Sequence, residues 1–308
     1  MINPKLLKQF IVEPGTEVDL KRYPTDWMES DEAKELGKGV IKERAAQVLE
    51  ENRKELDATQ ELLYASDSYS VLLIFQAMDA AGKDGTIRHV MSGVNPQGCQ
   101  VFSFKKPSTE ELDHNFLWRY MKSLPERGRI GIFNRSYYED VLVVKVHPEW
   151  LGPGQPAKPD KNFWEKRYED INNFEKHLTR NGTIVLKFFL HLSKDEQKKR
   201  FLERLTNPAK HWKFSEADLA EREHWKDYQK AFEEAFTATS TKRAPWHIIP
   251  ADRKYIARAM VADIIVSAIQ NLGLEYPKTS PQKVEALAAA RARLEKKPTP
   301  AKPDEPKA

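Results

Sequence analysis

The stretch that decides the fold covers residues 71–88 and reads VLLIFQAMDAAGKDGTIR. Its first five residues, 71–75, are apolar and rich in β-branched and aromatic side chains, which predicts a buried strand. A loop of small residues follows and ends at Gly82 and Lys83. Apolar residues then recur at helical spacing from Ile87 onward. The stretch therefore predicts a strand, a small-residue loop and a helix in direct succession.

This order of elements is typical of a phosphate-binding Walker A loop, whose backbone N–H groups and following helix point at one anion. The match to GxxxxGK[ST] is incomplete, because Ala77 replaces the first glycine and Asp84 replaces the magnesium-binding serine or threonine. An ordinary strand-to-helix turn is the alternative. If the loop binds phosphate, its magnesium must be held elsewhere, and Asp79 and the pair Glu139-Asp140 are the candidates.

Four more runs have the nearly continuous apolar character of strands that are covered on both faces. They are 129–133, 183–190, 246–250 and the weaker 101–104. Helices are predicted from apolar periodicity and capping residues at 37–64, 109–124, 162–180, 193–205, 215–238 and 253–272. Strands that alternate with helices predict an α/β fold with a parallel sheet.

A polar cluster follows the strand predicted at 129–133: residues 134–140 read NRSYYED. Open α/β sheets bind ligands at the carboxyl ends of their strands, so we expect this cluster beside the small-residue loop. Arg135 suits bidentate phosphate binding, and an ion pair with Glu139 or Asp140 is the alternative.

A basic segment lies further along the chain, where seven Lys and Arg residues stand against three acidic ones between Lys194 and Phe214. Arg200 and Arg204 are four residues apart and share a helix face, and further lysines follow the break at Pro208. The segment is interpreted as a lid that closes over a phosphate. A solvated helix face is the alternative.

Composition limits the class of protein. A net charge of +4 over 308 residues is a mild excess and does not by itself indicate a polyanionic partner. No apolar run reaches the ~18 residues that a membrane-spanning helix needs, so we expect no membrane partner. Cys99 is the single cysteine, and the first 15 residues lack the apolar stretch of a signal peptide. We therefore expect a reduced, cytoplasmic protein.

Four segments together resemble the polyphosphate kinase 2 family, in the same order and spacing over roughly residues 15–277. They are AMDAAGKDGT (77–86), IFNRSYYEDV (132–141), KFFLHLSKDEQ (187–197) and KHWKF (210–214). Asn134 followed by Glu139 and Asp140 is similar to the class III branch, in which asparagine replaces the Walker B acid and an acidic pair follows.

The resemblance implies a P-loop kinase-like fold of three layers, with a five-stranded parallel sheet and a helical lid. It implies reversible, Mg²⁺-dependent phosphoryl transfer between inorganic polyphosphate and nucleotides. Class III members are expected to phosphorylate both AMP and ADP, giving ADP and ATP, and other nucleotides are possible acceptors. A homo-oligomer, dimer or tetramer, is expected, and no nucleic-acid partner.

The resemblance also assigns roles to residues. Asp79 and Lys83 correspond to essential Walker A residues, Arg135 to the essential Walker B arginine, Asp140 to an acid needed for activity, and Glu139 to a position tied to nucleotide selectivity. Asp79 and Asp140 are the predicted Mg²⁺ ligands. Phosphate or nucleotide binding is predicted at Ala80, Ala81, Gly82, Asp84, Gly85, Thr86, Asn134, Ser136, Arg200, Arg204, Lys210 and Lys213.

Three segments are predicted: an N-terminal extension at 1–36, a P-loop phosphotransferase domain at 37–276 with its lid at about 194–222, and a C-terminal segment at 277–308. Its residues 283–296 are expected to form a solvated helix, and its proline-rich end, 297–308, to be disordered.

Two rival functions remain open. An ATP-dependent nucleotide or nucleoside kinase would share the phosphate loop and the lid, but Asp84 after Lys83 argues against ordinary Walker binding of ATP. A nucleic-acid-binding protein would use the basic segment and show steeply salt-dependent binding.

Overall fold

The computed structural model describes residues 2–295 and confirms the predicted α/β class. Five strands form one parallel sheet in the order β2-β3-β1-β4-β5. Each strand lies within two residues of its predicted position. The strands are β1 Ser70–Gln76, β2 Cys99–Ser103, β3 Ile130–Asn134, β4 Thr183–His191 and β5 Trp246–Pro250.

The helices of the described residues lie before, between and after these strands. They are α1 Pro4–Lys8, α2 Asp31–Leu36, α3 Lys38–Ser66, α4 Lys83–Val90, α5 Thr109–Leu112, α6 Trp118–Met121, α7 Val143–Val146, α8 Lys161–Arg180, α9 Lys194–Thr206, α10 Glu216–Glu223, α11 Trp225–Thr239, α12 Lys254–Gln270 and α13 Pro281–Glu295. Within residues 2–295, none of them combines the length and apolar character needed to cross a lipid bilayer.

The sheet separates two apolar clusters, which gives the three predicted layers. Side chains of β1 alternate between the faces, as the two-residue period of a strand requires. Val71 and Leu73 join the cluster that includes residues of α3 and α12. Leu72 and Ile74 join the cluster that includes residues of α8 and α11. Since both faces are covered, the near-continuous apolar run of β1 is explained.

Two helices that the sequence predicts as continuous are interrupted. The segment 109–124 forms α5 and α6 instead of one helix, because Asn115 Oδ1 accepts the Leu117 N–H at 3.1 Å and this local bond competes with the helix. The segment 215–238 forms α10 and α11. The N–H of His224 donates to Glu221 O at 3.2 Å, a tighter turn than an α-helix, and α11 begins at the next residue.

The first 36 residues, predicted as an extension, contain a segment that covers the edge of the sheet. Phe10 and Val12 are buried, Val12 N–H donates to Trp246 O at 2.9 Å, and Ile248 N–H donates to Phe10 O at 2.7 Å. These bonds pair the segment with β5 in antiparallel direction. Backbone N–H and C=O groups that would otherwise be unpaired at this edge of the sheet are thereby hydrogen-bonded.

The described chain forms two compact units, one up to Leu274 and one from Glu275 onward. The solvated helix predicted at 283–296 is α13, Pro281–Glu295, whose residues are exposed. The tail predicted to be disordered, 297–308, lies outside the described residues.

Because two histidines are buried, we expect the free energy of unfolding to decrease in acid. Burial lowers the pKa of His191 and of His247 to about 4, against 6.5 ordinarily. The unfolded chain therefore binds these protons at a higher pH than the folded chain does. Their contribution to the free energy of unfolding is complete above pH 6.5 and is lost as the pH falls from there to 4. Each contributes up to about 3 kcal/mol.

Urea unfolding at pH 7.5 and pH 4.5 measures this loss. We expect His247→Gln to lose less stability between the two pH values than the wild type does. The matched control is His114→Gln, because His114 is exposed, and it is expected to lose as much as the wild type. An equal loss in His247→Gln would contradict the assignment.

Candidate functional site

The site lies where β1 and β3 end side by side. Phe75 of β1 pairs with Asn134 of β3, and the N–H of Arg135 donates to Phe75 O at 3.0 Å. The loop after β1 and the segment 134–140 therefore start from neighbouring strand ends, as the sequence predicts.

The small-residue loop turns through left-handed backbone at two positions after Ala77. Ala80 has φ +61° and Gly82 has φ +102°. Ala77 has no positive φ, so the glycine that the Walker A motif places there is not needed for this path. The loop ends at the start of α4, whose first N–H groups have no acceptor within the helix. This arrangement favours the phosphate-loop interpretation over an ordinary turn.

Lys83 reaches back across the loop. Its Nζ donates to Ala77 O at 3.2 Å. Burial lowers the pKa of Lys83, and the positive charge of Arg135 acts in the same direction, against the opposing charges of Asp79 and Glu139. The two predicted phosphate-binding cations therefore share one site.

Two of the three departures from the Walker motifs, Asp84 and Asn134, contact each other. Asn134 Nδ2 donates to Asp84 Oδ1 at 2.6 Å. In ordinary P-loop enzymes a serine or threonine follows the lysine and an aspartate stands on the second strand, and both hold magnesium. Here the acid stands after the lysine and an amide stands at the end of the strand, and a direct hydrogen bond joins the two side chains.

Arg135 has an unusual backbone. Its φ is +67°, a left-handed conformation that costs a residue with a Cβ about 1 kcal/mol. Its Nη2 lies 3.3 Å from Asp79 Oδ1, so its ion pair is with Asp79, and with neither of the two acids considered from the sequence. The charge of Glu139 is the largest influence on the pKa of Arg135 and raises it.

The acidic pair is held by residues that sequence reasoning missed. Glu139 accepts a hydrogen bond from Gln76 Nε2 at 2.8 Å. Asp140 accepts one from the Tyr120 hydroxyl at 3.2 Å and lies 3.7 Å from Arg167 Nη1. Burial raises the pKa of Asp140 to about 6, although the Arg167 charge opposes the shift. No local motif marks Tyr120 or Arg167.

A buried network fixes the backbone between Arg135 and Glu139. The hydroxyls of Tyr137 and Tyr138 donate to Glu175 Oε1 at 2.9 and 2.8 Å. Lys187 Nζ donates to the other oxygen of Glu175 at 2.7 Å, and all four side chains are buried. The buried carboxylate of Glu175 is paired with Lys187 and accepts hydrogen bonds at both oxygens, so breaking this network would be unfavourable. The network therefore fixes the backbone segment that carries the site residues.

Two predicted binding positions, Ser136 and Thr86, are buried. Ser136 is buried, and its Oγ accepts the Tyr138 N–H at 3.2 Å. Thr86 is buried within α4. At Ala80, Ala81, Gly82 and Gly85 the predicted role is one of backbone N–H groups. The first three of these residues precede α4 and Gly85 is its third residue. The Ala81 N–H donates to Met78 O at 3.3 Å.

The predicted lid cations are largely paired within the protein. Arg204 Nη1 donates to Asp218 Oδ2 and to Lys213 O, each at 3.0 Å. Lys210 pairs with Glu203, and Lys213 Nζ lies 4.9 Å from the ring centre of Trp212. Arg200 is buried, and each of its guanidinium nitrogens donates to a protein oxygen. It has no donor left for a phosphate, unlike the sequence prediction.

A cavity of about 610 Å³ opens beside the loop. Charges of both signs line it. The acidic members are Asp79, Glu139, Asp140, Glu149, Asp218 and Glu221, and the basic members are Lys105, Lys106, Arg119, Arg135 and Arg222. The neighbouring charge of Asp79 adds to burial in raising the pKa of Asp218. A polyanion enters such a mixed site only with a cation beside it.

A second group of positive charges, which we call the α12 cationic cluster, consists of Arg88, Lys254 and Arg258. A Cβ on Gly85 would lie 3.7 Å from Arg258 Nη2, so this guanidinium is beside the first turn of α4. Burial lowers the pKa of Arg258, and the charges of Arg200 and Arg88 lower it further. Arg258 Nε is buried and has no partner within residues 2–295. Lys254 and Arg258 were not predicted from the sequence, in which their four-residue spacing was the available signal.

In the part of the chain that the structure describes, no three His, Cys, Asp or Glu side chains converge as a metal site. Mg²⁺ needs only one or two protein carboxylates when phosphates and water supply the other oxygens. Asp79 and Asp140 both line the cavity, so the donor types suit the ion. Mg²⁺ binding by these two residues stays a prediction.

Comparison with known proteins decides the family. A family model described as polyphosphate kinase 2 matches residues 40–276. The chain belongs to the polyphosphate kinase 2 family. A relative from Rhodopseudomonas palustris named ADP-polyphosphate phosphotransferase is 52% identical, over 93% of this chain and 98% of the relative. One from Meiothermus ruber named AMP/ADP-polyphosphate phosphotransferase is 46% identical, over 88% and 96%.

A solved polyphosphate kinase 2 has the same fold. The crystal structure of polyphosphate kinase 2 from Arthrobacter aurescens matches with a TM-score of 0.79 and 40% identity, over 92% of this chain and 95% of that one. The resemblance and the P-loop kinase-like fold inferred from the sequence are thereby confirmed.

Proposed function

We propose that this chain transfers the terminal phosphate of inorganic polyphosphate to AMP and to ADP, giving ADP and ATP, with Mg²⁺ bound, as in the class III branch. The observation that carries the proposal is the convergence of Lys83, Arg135 and Asp79 at the ends of β1 and β3. The Meiothermus ruber relative is named for both AMP and ADP, and the Rhodopseudomonas palustris relative is named for ADP; both names include polyphosphate.

The chemistry needs no general base. A terminal phosphate oxygen of the nucleotide attacks the terminal phosphorus of the polymer, a P–O bond forms, and the bridging P–O bond breaks to leave a chain shorter by one unit. The attacking group has a second pKa near ~6 and is mostly deprotonated at neutral pH. Lys83 and Arg135 are placed to neutralise the charge on the transferred group. Asp79 and Asp140 would hold Mg²⁺, which when bound would supply further neutralisation of the phosphate charge.

One phosphoanhydride is exchanged for another, so the reaction is expected to run in both directions. The same assay started from ATP and short polyphosphate measures the reverse rate.

Two polyanions must meet at the loop, and the structure offers two surfaces of different character. The cavity of about 610 Å³ mixes acidic and basic groups and contains both predicted Mg²⁺ ligands, which suits a nucleotide bound with its metal. The α12 cationic cluster lies beside the first turn of α4 and lacks a neighbouring acid at Arg258. We assign the nucleotide to the cavity and the polymer to the cluster.

This assignment predicts a selective effect on the polymer. Arg258→Met is expected to raise the KM for polyphosphate by about tenfold, the loss typical of one charged contact, and to change the KM for ADP less than twofold. The control is Lys54→Met, on the exposed side of α3 and outside the cavity lining. Steady-state kinetics with each substrate varied in turn measures both constants. A rise in the ADP constant alone would reverse the assignment.

The proposed activity is tested by supplying polyphosphate with AMP or ADP and no ATP. ATP formation, followed with luciferase, is expected from ADP directly and from AMP after a lag in which ADP accumulates, and it should stop when Mg²⁺ is chelated. An ATP-dependent nucleotide kinase would form no ATP from AMP and polyphosphate, and from ADP it could form ATP only by the reaction of two ADP, which needs no polyphosphate. ATP formation that is the same with and without polyphosphate would therefore overturn the proposal. Parallel reactions with GDP and CDP measure the base preference.

The internal pairing of the basic segment favours an enzyme over a nucleic-acid-binding protein. Of its cations, Arg200 is buried, and Arg204 and Lys210 pair with acids of the same region. Three of the seven cations are thus not free to release counterions from DNA or RNA, so the salt dependence of binding is expected to be shallower than seven phosphate contacts would give.

The proposal includes a cytoplasmic homo-oligomer, dimer or tetramer. Nucleotide substrates and the unpaired Cys99 suit a reducing compartment. Light scattering coupled to size-exclusion chromatography measures the mass against 35.6 kDa for one chain; a single-chain mass would contradict the oligomer.

A further inference from the structure

Side chains of the basic helix α9 donate hydrogen bonds to backbone carbonyl groups of the phosphate loop. Gln197 Nε2 donates to Asp79 O at 3.0 Å. Arg200 Nη1 donates to Ala80 O at 3.0 Å and to Ala81 O at 2.7 Å. Three consecutive carbonyls of the loop are thus bound by two side chains that are 1% and 5% exposed.

The remaining donors of Arg200 connect the loop to β5. Its Nη2 donates to Ala251 O at 2.7 Å and to Asp252 O at 3.3 Å, directly after β5. Its Nε donates to Glu196 Oε1 at 3.0 Å. A guanidinium has five N–H groups, and these five bonds use all of them. Arg200 is therefore a cross-link between backbone segments.

Binding of the carbonyls sets the direction of the N–H groups. In a trans peptide the C=O of one residue and the N–H of the next lie in one plane and point in opposite directions. When the carbonyls of Asp79 and Ala81 point towards α9, the N–H groups of Ala80 and Gly82 point away from it. The left-handed backbone of Ala80 also costs about 1 kcal/mol and persists only if its surroundings hold it.

We propose that Gln197 and Arg200 are positioning residues that keep the N–H groups of the phosphate loop aimed at the bound phosphate. This inference rests on the proposed function, because it takes the loop to be the site of the transferred group. Arg200 acts through the loop backbone and does not contact the substrate.

The same contacts couple the loop to α10, the last helix of the predicted lid segment. Arg222 of α10 donates to Gln197 Oε1 at 2.7 Å and to Lys194 O at 2.8 Å. Arg222 also lines the cavity beside the loop. Movement of α10 therefore acts on Gln197, and through it on the carbonyl of Asp79.

The test compares two variants with a matched control on the same helix. Arg200→Lys keeps the charge but has three donors in place of five, and Gln197→Met keeps the approximate volume and removes the amide. We expect kcat to fall by about 100-fold in Arg200→Lys and by about tenfold in Gln197→Met, losses in the range for misaligned backbone donors. The control, Lys198→Met, removes an exposed charge and is expected to stay within twofold of the wild type.

Two further readouts separate positioning from general stability. Rates are divided by the folded fraction, measured by thermal unfolding of each variant, so a loss of fold alone leaves the corrected kcat unchanged. Hydrogen exchange of a peptide covering 77–88 is expected to be faster in both variants than in the wild type. A corrected kcat within threefold of wild type in Arg200→Lys, or unchanged exchange in Gln197→Met, would overturn the inference.

The positioning role of Gln197 and Arg200 can be tested even if the proposed function fails. If the wild type makes no ATP from polyphosphate, the proposed function fails, and binding of inorganic tripolyphosphate by calorimetry replaces kcat as the readout. Arg200→Lys is then expected to bind tripolyphosphate at least tenfold more weakly than the wild type. Equal binding would refute positioning of the loop by α9.

Discussion

Replacement of Lys83 by methionine is expected to lower kcat for phosphoryl transfer by about 10³-fold, the upper range for loss of one electrostatic contact to a transition state. Lys83 Nζ is anchored at Ala77 O, 3.2 Å away, and lies within the influence of Arg135, Asp79 and Glu139. The charge it supplies is needed most when the phosphoryl group separates from the polymer. Initial rates with saturating polyphosphate and ADP measure the effect.

The fold of this variant should survive. Burial and the Arg135 charge lower the pKa of Lys83, so the protein environment opposes the charged form, and methionine removes a charge whose burial is unfavourable. We expect a melting temperature equal to or above that of the wild type. The control is Lys54→Met on α3, which should retain full activity. A Lys83→Met enzyme with kcat within tenfold of the wild type would remove Lys83 from the chemistry.

The sheet and its loop were predictable because the information is local. The apolar runs that become β1, β3, β4 and β5 stand out, since each strand is buried on both faces. The loop after β1 is recognisable from its small residues and Lys83, and the segment 134–140 from its position after β3. Parallel pairing then brings the two strand ends together.

The interruptions at 113–117 and at His224 could not be predicted with the same signals. The sequence around Asn115 is compatible with a continuous helix and with a local turn. In the structure the Asn115 side chain accepts the Leu117 N–H, which favours the turn. At His224 the continuous periodicity of the sequence conceals the break between α10 and α11.

The role of Arg200 shows why the rest of the site could not be predicted. From the sequence, Arg200 is one of several cations on a basic helix, and a phosphate contact is the natural expectation. Its five acceptors come from segments that are about 50 and 120 residues away, apart from Glu196. Only the packing of α9 against the loop and the end of β5 distinguishes a cross-link from a free charge. Tyr120 and Arg167 at Asp140 were missed for the same reason.

Arg135→Gly and Arg135→Ala are expected to reduce kcat equally, by about 10³-fold, and to differ in stability. Both remove the guanidinium that lies 3.3 Å from Asp79 Oδ1, and the loss of an arginine that stabilises a transferring phosphate has this size. The Arg135 side chain of this ion pair is 41% exposed, so loss of the pair changes the free energy of unfolding by less than about 1 kcal/mol.

The backbone of Arg135 distinguishes the two variants. At ordinary negative φ, alanine is more stable than glycine by about 0.5–1 kcal/mol. At φ +67° the order reverses, because alanine keeps the steric conflict of its Cβ, about 1 kcal/mol or more, and glycine does not. Urea unfolding should therefore find Arg135→Gly more stable than Arg135→Ala while both are equally inactive. The opposite order of stability would contradict a left-handed backbone at residue 135 and, with it, the placement of this guanidinium against Asp79.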